Sequence, residues 1–305
     1  MDGGQSNKTQ VEVNTIPAFS WKALVQLAKL RLASSVVFSA MAGYLIAVPE
    51  FSWLTFTLLI LGGFLVVGAS NGFNQVIEKE QDAQMDRTKN RPIPSGTMTV
   101  QQAIWAAGTM GLAGVITLYI INPLSAGFGL ASLLLYVFCY TPMKAKSSWA
   151  VFIGAIPGAI PFMLGWVAAT NDFDIESGTL FAIQFMWQFP HFWALAWILD
   201  DDYKKAGYKL LPSGFRDRGS AFQILVYTIG MVLVCLLPAF AGLTGSLEFT
   251  KTSAIIIAVL GGAMVFLAAR LFRSRETGDA RNLFLASLAY LPLVQIIMVL
   301  DKFLA

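Results

Sequence analysis

Four polar residues recur at every fourth position in one stretch of the chain: Asn74, Glu78, Asp82 and Asp86. On a helix that spacing stacks them along one face, climbing roughly 18 Å at about 1.5 Å per residue. Three are acids, and like charges at this spacing repel. A charge run at a helix end can be a solvated cap. The chemical alternative is metal binding, in which one or two carboxylates hold Mg²⁺ while substrate phosphate and water complete its shell. Arg87, Lys89 and Arg91 follow directly, and such cations suit phosphate oxygens. Pro92 and Pro94 predict the end of the helix. The preceding run, Trp53 to Phe73, is apolar. The charges therefore lie at the mouth of a membrane helix, which favours a metal–diphosphate site.

A second stretch repeats the pattern of acids followed by cations: Asp200, Asp201 and Asp202, then Tyr203, Lys204 and Lys205. Three aspartates at a helix C-terminus oppose its dipole, and a bound cation would relieve them. Two acidic clusters on one side could hold two Mg²⁺ ions around one diphosphate. Lys144 and Lys146 lie on the same side, as phosphate contacts or as plain orientation signals. The segment Phe185–Trp193 holds the chain's single histidine, His191, beside Trp187, Gln188 and Pro190. His191 precedes Asp200 by about nine residues, so it lies roughly 13 Å deeper. A polar pair such as Gln188 and His191 at that depth is expected to face the protein interior. The neighbouring rings serve as packing, or as a wall that stabilises an allylic cation. For His191 the simpler alternative is a helix–helix hydrogen bond.

The elements that must position these residues follow from composition. Hydrophobic residues make up 56% of 305 and charged residues 13%, the signature of an integral membrane protein. Nine apolar spans are predicted: Leu32–Val48, Trp53–Phe73, Val100–Ile121, Leu124–Tyr140, Trp149–Ala169, Leu180–Leu199, Ala221–Ala241, Ser253–Phe272 and Leu283–Leu300. Of the 21 Lys and Arg residues, all but Lys251 and Lys302 then fall on one side. The positive-inside rule makes that side cytoplasmic, with the N-terminus inside and the C-terminus outside. The expected fold is all-α: a polytopic bundle of nine transmembrane helices in a bacterial cytoplasmic (inner) membrane, with the chemistry at the cytoplasmic end. Residues 1–22 read as a flexible cytoplasmic tail and 23–305 as one intramembrane domain. Cys139 and Cys235 both fall in apolar runs and are expected to be buried thiols, without a disulfide framework. No zinc-type spacing occurs, and nothing points to nucleic acid. In the fifth span, Gly154, Pro157, Gly158, Pro161 and Gly165 predict close helix packing.

The stretch Asn74-x-x-x-Glu78-x-x-x-Asp82-x-x-Met85-Asp86-Arg87-Thr88-x-x-Arg91-Pro92 resembles the first signature of the intramembrane (UbiA-type) prenyltransferases. Its Glu78 form, followed by Arg-Thr-x-x-Arg-Pro, is similar to the heme-farnesylating branch of that family. So are Tyr140-Thr141-Pro142-x-Lys144, Trp187-Gln188-x-Pro190-His191-Phe192, and Asp202-Tyr203-x-x-Ala206-Gly207. Two stretches depart from the pattern. Lys29-Leu30-Arg31 stands where the family has Lys-Pro-Arg, and Lys144-Ala145-Lys146-Ser147 where it has Lys-Arg-x-Thr.

The resemblance implies that farnesyl diphosphate, heme B and water give heme O and diphosphate. It implies Mg²⁺ held by Asn74, Glu78, Asp82, Asp201 and Asp202. Asn74, Glu78, Asp82, Arg87 and Arg91 would be catalytic, and Lys144, Lys204, His191, Gln188 and Trp187 would bind substrate. The lipid bilayer, and a downstream heme-modifying enzyme or oxidase assembly, would be its partners. Two other readings remain at this point. A related prenyltransferase could act on a quinone precursor. A secondary transporter would instead place its ion sites near the midplane.

Overall fold

In the computed structural model, residues 20–304 are described, and every regular element among them is helical. Ser20 caps α1 (Trp21–Ala28) by accepting from the Ala23 amide. The expected tail, 1–22, lies outside the described residues except at its end, where Trp21 and Lys22 already begin α1. Lys29, at φ 51°, turns the chain into α2 (Leu30–Ala47). Next come α3 (Trp53–Ile77), α4 (Lys79–Gln84) and α5 (Val100–Ile121). α6 (Pro123–Leu134) continues through a π-helical segment, Leu135–Tyr140, into the short α7 (Thr141–Met143). α8 (Ala150–Thr170), α9 (Ile175–Ile198) and α10 (Asp200–Lys205) follow. α11 (Arg218–Cys235), α12 (Lys251–Ser274) and α13 (Thr277–Leu304) come last.

Eight membrane-length apolar helical spans occur among the described residues. The predicted span left over, Leu180–Leu199, corresponds to α9, which has 24 residues but carries Gln184, Gln188 and His191. Side-chain caps at Ser52, Thr99, Asn122, Asp174, Asp217 and Thr250 set the starts of the long helices. Apolar runs mark only the middles. α9 therefore begins at Ile175 rather than Leu180, and α13 begins at Thr277 rather than Leu283.

α8 lies at the centre: 72% of its apolar stretch is buried, against 28% in α5 and in α12. It packs against α2, α6 and α9 and belongs to two cores, one with α2, α3, α5 and α6, the other with α9, α11, α12 and α13. α2 reaches α8 backbone to backbone. A Cβ at Gly43 would collide with the Phe162 carbonyl, and one at Gly165 with the Ala40 carbonyl. Pro161 cannot donate to the Pro157 carbonyl, and Ser132 Oγ donates there instead at 3.2 Å. Gln184 and Gln188 donate to the Gly158 and Ala155 carbonyls at 2.8 and 2.9 Å, tying α9 to α8. The small-residue pattern of α8 thus serves close packing, as expected.

Two expectations differ. The Asn74–Asp86 stripe is not one continuous helix. α3 ends at Ile77, Glu78 takes φ −92° and ψ 15°, and α4 stops before Met85, which is extended. The extended Met85 takes Asp86 off the stripe, while the like charges of Glu78 and Asp82 are answered by Lys144 and Arg91. The expected burial of both thiols holds only for Cys235; Cys139 is exposed. It lies in the π-helical segment, on a peripheral face that an apolar sequence cannot distinguish from an interior one.

Candidate active site

The site gathers where α3, α4 and α7 end and α10 begins; Asp200, Asp201 and Asp202 form the first turn of α10 rather than the helix C-terminus expected. Asn74, on the last turn of α3, donates to Thr141 Oγ1 at 3.2 Å. Glu78, at the break, faces Lys144, whose Nζ lies 2.7 Å from Oε1 and 3.0 Å from Oε2. Lys144 reaches it from just beyond α7, with the ring of Tyr140 4.8 Å beneath its ammonium. Thr141, at the end of the π-helical segment, is fixed by its own bond to the Tyr136 carbonyl at 2.8 Å. Asp82 is 0% exposed, and Arg91 Nη1 lies 2.8 and 2.6 Å from its two oxygens. Thr88 donates to the Asp82 carbonyl at 2.8 Å, closing the turn that returns Arg91 to it.

Lys29 joins this group from the bend between α1 and α2. Gln75 and Asn71 of α3 donate to the last carbonyls of α1, Leu27 and Ala28, and so pin the bend. Burial lowers the Lys29 ammonium to about 7, and the nearby Arg91 and Lys144 charges push the same way. Tyr208 lies against Glu78, and burial, with that carboxylate, raises its phenol above the ordinary range.

The second acidic cluster is arranged differently. Asp202 accepts from the Asp86 and Arg87 amides at 2.9 and 3.3 Å. Burial works against its ionised form. These amides and Lys205 outweigh it and hold the carboxyl below its usual range. Asp86 is 65% exposed and pairs with Lys89 and Lys205, which lower it to about 2, Lys205 contributing most. Asp201 is 78% exposed and meets Arg216 at 3.0 Å. Lys204 turns back to the buried Asp200 at 2.7 Å. Arg87 lies 6.0 Å over the Tyr203 ring. The two clusters are thus joined through Asp202 and Lys205, while Asp201 and Lys204 engage their own loop.

The donor set fits a hard cation. Asn74, Glu78 and Asp82 offer buried oxygens, and among the described residues Glu78 Oε1 has no hydrogen-bond partner despite the ammonium beside it. Among the described residues no three carboxylate, histidine or cysteine side chains converge on one point.

Deeper in the bundle, His191 is buried, its Nδ1 2.8 Å from Ser287 Oγ of α13. Trp187 and Phe284 stack on its ring at 4.5 and 5.0 Å. Trp187 Nε1 donates to the Ser287 carbonyl at 2.8 Å. Gln188 points instead to α8, where Gly158 leaves it room. The expected pairing of Gln188 with His191 on one face therefore separates: His191 and Trp187 meet α13, Gln188 meets α8. Sequence reasoning missed Lys29, Tyr208, Arg216 and Ser287 as parts of the site. Lys29 alone carried a signal, as the first residue of the variant Lys-Leu-Arg stretch.

A helical membrane bundle with acids and cations matched at one end defines a class. The chain belongs to the UbiA prenyltransferase family, whose sequence profile matches residues 36–291. Two similar bacterial relatives are both named protoheme IX farnesyltransferase. That of Christiangramia forsetii is 54% identical over 92% of this chain and 93% of its own length. That of Flavobacterium psychrophilum is 50% identical over 96% and 99%. Among solved structures, a digeranylgeranylglyceryl phosphate synthase superposes with TM-score 0.78 at 18% identity, covering 93% of this chain and 99% of that one. A UbiA homolog from Archaeoglobus fulgidus bound to DMAPP and Mg²⁺ does so with TM-score 0.73 at 14% identity, covering 92% and 98%.

Proposed function

We propose that this chain transfers the farnesyl group of farnesyl diphosphate to a vinyl group of heme B, with addition of water, giving heme O and diphosphate. The observation that carries the reading is the pair of buried carboxylates, Glu78 and Asp82, met by Lys144 and Arg91, in a chain 54% identical to a protoheme IX farnesyltransferase. Asn74, Glu78 and Asp82 would hold Mg²⁺, with Asp202 and Asp201 on the facing loop. Bound there, the ion neutralises the diphosphate and stabilises it as a leaving group. Arg91, Lys144 and Lys29 reach the same phosphate oxygens, and Arg87 and Lys204 stand at the rim. Fixed cations act most strongly where charge develops, on the departing diphosphate. The farnesyl chain lies among the apolar helices, away from water that would quench its allylic cation early. His191 and Trp187 position the heme, and the vinyl group attacks that cation. Water then adds to the porphyrin side chain, while Gln188 holds the α8–α9 wall.

We also assign α9 as the ninth span. Its C-terminal side joins α10, whose Asp202 bonds the turn after α4, while Glu176 in its first turn bonds Ser246 in the loop between α11 and α12. Its 24 residues rise about 36 Å, enough for a bilayer core. With nine spans the N-terminus is cytoplasmic, the C-terminus outside and the active site cytoplasmic, in a bacterial inner membrane. The described helices form one catalytic domain, which α1 opens at Trp21. The product passes to a heme-modifying enzyme or an oxidase assembly.

The test is incubation of membranes holding the full chain with heme B, farnesyl diphosphate and Mg²⁺, followed by product mass. Heme O is expected. A prenylated quinone precursor in place of heme O, when both acceptors are offered, would overturn the assignment.

A further inference from the structure

The hydrogen bonds around Ser287 fix which nitrogen of His191 carries its proton. Ser287 Oγ lies 2.6 Å from the Phe284 carbonyl and 2.8 Å from His191 Nδ1. A carbonyl oxygen only accepts, so the hydroxyl proton is given to Phe284. The Ser287 oxygen then has only lone pairs to offer His191. In a neutral imidazole one nitrogen donates and the other accepts, so Nδ1 holds the proton and Nε2 the free lone pair. Nε2 has no hydrogen-bond partner among the described residues, and it is not sealed from contact. The ring cannot easily turn to exchange its nitrogens. Trp187 and Phe284 both stack on it, and Trp187 is itself bonded to the Ser287 carbonyl.

We propose that Ser287 is a positioning residue that holds His191 in the Nδ1–H form, so that Nε2 meets the iron of the heme substrate rather than a propionate. A propionate carboxylate needs a donor, and a bare Nε2 has no proton to give. Iron accepts the lone pair, and an iron-bound histidine characteristically donates its other N–H to a fixed acceptor. The inference rests on heme B being the substrate.

The chain has one histidine, so ¹⁵N-histidine labelling reports two ring nitrogens without ambiguity. The sample is the full chain in lipid nanodiscs, purified through a histidine-free tag. A protonated Nδ1 and an unprotonated Nε2 are expected. Ser287→Ala is expected to give mixed or reversed protonation, and Ser287→Thr, which keeps the hydroxyl, the original pattern. Protonated Nε2 in the unmodified protein overturns the proposal, so the assignment is tested even if Ser287→Ala does not assemble. An unchanged pattern in Ser287→Ala also overturns it. The labelled protein is then titrated with ferric heme B and with metal-free protoporphyrin IX, which has the same propionates and vinyl groups. Heme alone is expected to perturb Nε2. Equal perturbation by both would assign a propionate contact and overturn the iron contact. No perturbation by heme, with heme O still formed, would overturn the iron contact while leaving the proposed function standing. Failure to form heme O would instead remove the function. Ser287→Ala is expected to weaken heme affinity about 10-fold or more, as loss of a ligand's supporting bond does. Its farnesyl diphosphate affinity should not change.

Discussion

Asp82 is fully buried, held by Arg91 through both oxygens and by Thr88 through its carbonyl. Asp82→Ala removes the carboxylate that accepts from Arg91 and leaves that guanidinium without its partner. Turnover is expected to fall about 100-fold or more, the scale of losing a fixed electrostatic group. Asp172→Ala, in the exposed α8–α9 turn, is expected to be near neutral in the same heme O assay. Lys29 gives a pH dependence. Its ammonium, lowered to about 7 by burial and by Arg91 and Lys144, loses its proton as pH rises through that value. Bound diphosphate favours the charged form, so binding takes up a proton, and affinity is expected to weaken as pH rises above about 7. Lys29→Arg stays charged throughout. Farnesyl diphosphate affinity measured between about pH 6 and pH 8 should therefore be flatter in the variant than in the unmodified chain. Matching profiles would remove Lys29 from the phosphate site.

At the scale of elements, what is legible is what periodicity and composition encode. The apolar runs reveal the spans, and Gly43, Gly158 and Gly165 sit where backbones or an amide side chain press on α8. Gly165→Ala forces a methyl group into the Ala40 carbonyl. It is expected to cost on the order of 1–3 kcal/mol, read as a lower unfolding temperature in detergent. Gly262→Ala meets open space and should be neutral or slightly stabilising. The site is legible only in part. The spacing of Asn74, Glu78 and Asp82 predicts a shared face, and all three are buried. The same spacing cannot reveal that the helix breaks at Glu78, nor that Glu78 meets Lys144 from far along the chain. Nor can it reveal that Asp202 is occupied by two amides of the opening turn. Ser287 has no local signal at all, since an isolated serine in an apolar helix reads as packing.

For the whole molecule, the basic residues crowd one end of the bundle, and the positive-inside rule predicts an orientation from that asymmetry. Asp172→Cys and Ser213→Cys, both exposed, place a thiol at opposite ends of α9. In a background without Cys139 and Cys235, an impermeant thiol reagent outside intact cells is expected to label position 172 at once. Position 213 should be labelled only after permeabilisation. The opposite result would place the active-site end outside and overturn the proposed cytoplasmic site.

Glu78 and Asp82 each already hold a cation, Lys144 and Arg91. An arriving diphosphate can claim those cations only if another positive charge answers the carboxylates they leave. Under the proposed function the pocket would take an anion and a divalent cation together far more readily than either alone, because each answers charge that the other displaces. By thermodynamic reciprocity, each must raise the affinity of the other by the same factor. Such coupling would discriminate against stray phosphate and stray metal without any contact dedicated to rejecting them.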